Sequence, residues 1–168
     1  ISVSGAGRSQ VGFEVPVGVN RHHIPVNTTA GASSYPYIVI YTKSSLLEQS
    51  TPVWFAVSDA ISVVTNVSFT DHDLDREELG HTVTWLEAGD ISLVTYYSVY
   101  LAMEDSGLGV SQIGNDVAVG TTQIDISPDT AQVPYRFIAV YTKSSLAEQT
   151  TPAYLHISDS AESVSNIA

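Results

Sequence analysis

The residues with the clearest chemical potential are Asp71-His72-Asp73-Leu74-Asp75-Arg76-Glu77-Glu78. Asp71, Asp73, Asp75 and Glu77 fall at alternate positions in this run. Carboxylates spaced this way can converge on a hard cation, and Ca²⁺ takes about six to eight oxygen ligands. These four are the expected calcium ligands, with Asp59 or Asp159 as further donors from strand ends near a domain junction. The competing reading is an acidic loop that is simply solvated. Four other histidines accompany His72, and they suggest no transition-metal site. His22 and His23 are adjacent, so on a strand they point to opposite faces, and His81 and His156 are isolated. The chain carries no His-Glu-x-x-His pair, nucleophile elbow or phosphate-cradling glycine loop. Gly107-Leu108-Gly109 reads as a turn. The expected chemistry is cation binding at most, and the chain is not expected to be an enzyme.

Elements must hold that loop in place, and their kind is legible in the pattern. Apolar residues alternate with period two nearly everywhere, and no long stretch keeps a helical stripe. Strands are expected at about 66–69, 81–86, 93–102, 112–119, 123–126, 135–143 and 153–158, separated by Gly, Asp, Asn and Pro. Glu87-Ala88-Gly89-Asp90, the stretch 104–109 and Ser127-Pro128-Asp129 are expected turns. The acidic run then lies in the connection between the first two strands. It departs from an EF-hand loop, because Arg76 stands where Gly is needed and Thr82 where the closing Glu belongs.

The chain also repeats itself. Tyr41–Asp59 reads YTKSSLLEQSTPVWFAVSD and Tyr141–Asp159 reads YTKSSLAEQTTPAYLHISD, identical at twelve of nineteen positions. Ile24 aligns with Ile124 at the same offset, and Ser9-Gln10-Val11-Gly12 matches Ser111-Gln112-Ile113-Gly114 with about two residues inserted between 19 and 23. Val64-Thr65-Asn66-Val67-Ser68 returns as Val164-Ser165-Asn166-Ile167-Ala168. A period near one hundred is about the size of one β-sandwich and too long for a solenoid unit. Residues 1–65 are therefore expected to be an incomplete repeat without its opening strands, and 66–163 a complete one. Val164, Ser165, Asn166, Ile167 and Ala168 are expected to start a further repeat or to donate a strand to another copy. A sandwich without its opening strands leaves apolar faces and edges uncovered, so either the chain is cut from a longer protein or a neighbouring molecule supplies the strands by strand addition, which satisfies both.

Within the complete repeat, Trp85 stands in the second strand, Tyr96-Tyr97-Ser98-Val99-Tyr100 in the third, and Tyr135 opens the sixth. This arrangement closely resembles a fibronectin type III domain over 66–158. The resemblance implies two tandem immunoglobulin-like β-sandwiches, an all-β chain whose first sandwich lacks its opening strands. It also implies that Trp85 is a core residue and Tyr135 a corner residue. The long acidic connection and the absence of Arg-Gly-Asp after the sixth strand depart from the family. Leu74-Asp75-Arg76-Glu77 is similar to a cadherin calcium motif, but the strands around it are not a cadherin's. Trp54 has no counterpart of Trp85 beside it and is expected to fill an irregular core or a contact with another domain. In the shared loop, Leu46 and Leu146 are expected to cap the sandwich end, and Lys43 and Lys143 to meet acidic groups of a neighbour.

Composition narrows the setting. The chain of 168 residues has no cysteine, a net charge of −12 and only six Lys plus Arg. This disfavours nucleic acid and anionic membrane surfaces as partners. No apolar run approaches the ~18 residues of a membrane span, so no membrane insertion is expected. Charged residues make up 14% against a typical ~25%, which leaves Ser, Thr and Asn to build the surface. Asn27-Thr28-Thr29 and Asn66-Val67-Ser68 are glycosylation sequons. The chain is expected outside the cell or on its surface, as a structural subunit assembling with other copies of itself into a filament. Two alternatives are a module that binds carbohydrate or a cell-surface partner through Tyr35, Tyr37, Tyr96 and Tyr97, and a spacer in a larger secreted enzyme.

Overall fold

A computed structural model describes residues 2–30, 34–57 and 61–161. The chain is all-β, and its described residues form two compact units, Ile1–Ala60 and Ile61–Ala168. The expected donor strand from Val164 to Ala168 lies outside the described residues, as does Asp59.

The first unit contains one antiparallel pair, β1 (Tyr37–Ile40) and β2 (Val53–Ala56), with Ile38 opposite Phe55 and Ile40 opposite Val53. Side chains alternate across a strand, so these four apolar residues share one face. All four are exposed, at 39%, 70%, 66% and 74% respectively. Tyr37 and Trp54 meet edge to face on the other side, with centroids 5.4 Å apart. Trp54 is half exposed and not the core filler its isolation suggested.

The second unit is built from β3 (Thr65–Ser68), β4 (Glu78–Leu86), β5 (Val94–Ala102), β6 (Val110–Gln112), β7 (Val117–Ala118), β8 (Gln123–Ala131), β9 (Phe137–Ser144) and β10 (Ala153–His156). One sheet runs β3-β4-β8 and the other β10-β9-β5-β6, with β7 also on β5. Leu79, Val83, Trp85 and Ile126 from the first sheet and Tyr97, Val99, Leu101, Ile138 and Val140 from the second form one buried cluster. Ile138 and Val140 are 0% and 1% exposed. They are the repeat equivalents of Ile38 and Ile40, which no layer covers among the described residues. Trp85 is buried edge to face on Tyr97, and Tyr135 packs half-buried against the same core.

Three strands differ from the period-two reading, and the one expected at 112–119 is instead the two short strands β6 and β7. β4 starts at Glu78, inside the acidic run, and β8 continues through Ser127-Pro128-Asp129, the expected turn. The cause is a bulge. Leu79 pairs with Thr130 but His81 pairs with Ile126, so three residues of β8 oppose Gly80 alone. Pro128 has no N–H to give a ladder and sits where the ladder is already broken. A Cβ on Gly80 would lie 3.1 Å from Pro128 Cα, a close approach that any larger residue would have to widen by a few tenths of an ångström. The bulge also places Leu79 and Gly80 side by side in the interior, which hides the strand from a search for alternation.

The repeat is a repeat of contacts as well as letters. Gly107 and Gly5, matched across the two copies, both have positive φ (80° and 77°). A Cβ there would fall 1.7 Å from the Tyr141 hydroxyl in one unit and 1.6 Å from the Tyr41 hydroxyl in the other. Gly107→Ala therefore has to move a buried tyrosine and strain the backbone. It should cost about 1–3 kcal/mol in thermal or urea unfolding. A change within about 0.5 kcal/mol, the range of an ordinary surface substitution, would show that the contact is slack.

Candidate functional site

The acidic loop is held by its own carboxylates. Asp71 is buried, and its Oδ1 accepts from the backbone N–H of Asp73 (3.1 Å) and Gly80 (3.0 Å). Its Oδ2 accepts from Ser160 N–H at 3.1 Å. Asp73 accepts from Asp75 N–H through Oδ1 (3.0 Å) and from Asp129 N–H through Oδ2 (2.8 Å). Its hydrogen bonds, led by the one from Asp129, hold the Asp73 carboxyl below its ordinary range. Three backbone donors on one buried carboxylate fix the loop against both β4 and the end of the unit.

This framework brings together Asp73, Asp75, Glu78 and Asp129, which each place one carboxylate oxygen within 4.8 Å of those of the others. Two of the four residues expected from the alternate spacing, Asp73 and Asp75, are in the group. Asp71 is turned inward as the loop's brace. Glu77 has φ of +66°. Its N–H donates to Asp159 Oδ2 at 2.9 Å and its carbonyl accepts from Gln132 N–H at 2.8 Å, while its carboxylate is outside the group. Glu78 and Asp129 stand in place of Asp71 and Glu77. Glu78 was missed because β4 begins there, and Asp129 because the β8 bulge that carries it reads as a turn. Asp159 braces Glu77 through Oδ2, and its buried Oδ1 has no partner.

Desolvation, followed by repulsion from Asp129, Asp75 and Asp73, raises the Glu78 pKa. Four carboxylates at this spacing have the oxygen chemistry for a hard cation such as Ca²⁺. Binding would relieve that repulsion. A titration with Ca²⁺ should raise the melting temperature, and Glu78→Gln or Asp129→Asn should remove most of the rise. No rise at millimolar Ca²⁺ would leave the group as a solvated acidic face.

His72 and His81 stack beside the group, with ring centroids 3.8 Å apart and planes at 13°. A metal bonds an imidazole in the ring plane, so two parallel rings cannot share one ion. An open groove of about 520 Å³ runs past them, with Asp125 and Ser127 also on its wall. Asp125 is engaged by the Thr82 hydroxyl at 2.6 Å.

The shared Lys-Ser-Ser-Leu loop is fastened within each unit and does not reach outward for a partner with its lysines. Lys43 pairs with Glu14 and Lys143 with Asp116 (2.6 Å). Glu14 and Asp116 are themselves equivalent, two residues past the matched glycines 12 and 114. Thr42 Oγ1 donates to Gln49 Oε1 and Thr142 Oγ1 to Gln149 Oε1. Ser44 and Ser144 accept from the same two N–H groups of their loops. Leu46 and Leu146 are exposed at the loop tips and do not cap the sandwich. Asn27 and Asn66 are both exposed. Of the tyrosines considered for carbohydrate stacking, Tyr97 is fully buried with its hydroxyl on Glu87. That burial pushes its pKa up to about 12. Tyr96 remains exposed.

No protein-family model matches the chain, and no curated protein matches it.

Asp116 joins the loop to β5: it accepts from the buried Ser98 hydroxyl (2.9 Å) and from Gln112 (3.0 Å) as well as from Lys143. Lys143, then Ser98, holds its pKa below the ordinary value. A depressed carboxyl stabilises the fold above the ordinary Asp range, and the effect is lost as pH falls through the folded value. Asp116→Ala should therefore cost about 1–3 kcal/mol at pH 7. The gap from the parent should narrow below about pH 4. A gap that does not change with pH would remove the charge from this account.

Proposed function

We propose that this chain is a section of a tandem array of β-sandwich repeats that serves as a structural element of an extracellular or cell-surface filament. The observation that carries the reading is the agreement of the two units in their contacts. Each has the Gly–Tyr hydroxyl contact, the lysine–carboxylate pair and the Thr–Gln bond at equivalent positions. Those contacts specify a scaffold to be copied. They lie within a unit and leave the loop tip free, as a module repeated at a fixed pitch requires.

The fibronectin type III-like pattern supports the same reading. The second unit has a three-stranded layer on a larger layer around one core, with Trp85 and Tyr135 facing that core. Exposed sequon asparagines in both units suit a secreted glycoprotein. Assembly is head-to-tail between copies, and the acidic group near the end of the second unit is a cation-dependent stiffening point within the array.

Negative-stain microscopy and sedimentation velocity test this. The expected outcome is extended particles that lengthen as protein concentration rises. Compact monomers at every concentration, or tyrosine-dependent hits on a glycan array, would overturn it in favour of a binding module.

A further inference from the structure

We draw no further inference here: the strongest candidate, the open groove beside the stacked His72 and His81 at the bulge between β4 and β8, shares Asp73 with the acidic group already described, and nothing in it points to a ligand of its own.

Discussion

Ile138 and Val140 set the terms for the rest of the second unit. They project from β9, a strand paired on both edges, into the space between two sheets. Burying them requires a facing layer, which β4 and β8 supply through Leu79, Val83 and Ile126. It also requires that β9 stay flat and fixed in register, which β5 and β10 provide. A fully buried aliphatic side chain contributes about 1.5–3 kcal/mol, so such a strand cannot be exposed cheaply. The first unit has the same strand with the same kind of side chains, and there the condition is unmet among the described residues.

The second requirement is to fasten the loop that follows that strand without spending surface on it. The chain has six basic residues, and Arg8, Lys43 and Lys143 are each committed to a carboxylate of their own unit. Exposed pairs of this sort add little to stability, so their value lies in geometry. Asp116 is the exception, because it also takes the hydroxyl of a buried serine and so connects loop, β5 and the short strand after it. Using lysines locally leaves the outer surface acidic. This discourages unselective contact between copies and gives weight to contacts specified by backbone and shape.

Strand order, period and the two copies were legible because they depend on side-chain alternation and on identity at a constant offset. Trp85 and Tyr135 could be placed by the resemblance of their strands. The acidic group was only half legible. Alternate spacing singled out Asp73 and Asp75, which the fold does bring near each other, but it assumed a regular loop. The bulge at Gly80 brings in Asp129 from a distant strand, and the start of β4 selects Glu78 over its neighbour. Asp71, the most regular member of the pattern by spacing, is the one folded inward. The lysine partners were missed for a different reason: the insertion near residue 20 shifts Glu14 against Asp116 to an offset of 102, so the equivalence disappears from an ungapped comparison.

The bonds at the two ends of the second unit bear on how it would carry a load. Where the chain comes in, the Ser62 hydroxyl donates to the Asp90 carbonyl. Where it leaves, Ser160 is bound by Asp71 and Asp159 by the Glu77 N–H. A pull along the polypeptide therefore meets side-chain clamps before it reaches either ladder. The clamp on the leaving side is a buried carboxylate with three donors, and it is anchored to the neighbouring layer. In a load-bearing array, tension arriving there would pass through those bonds into the neighbouring layer as well as into the strand itself.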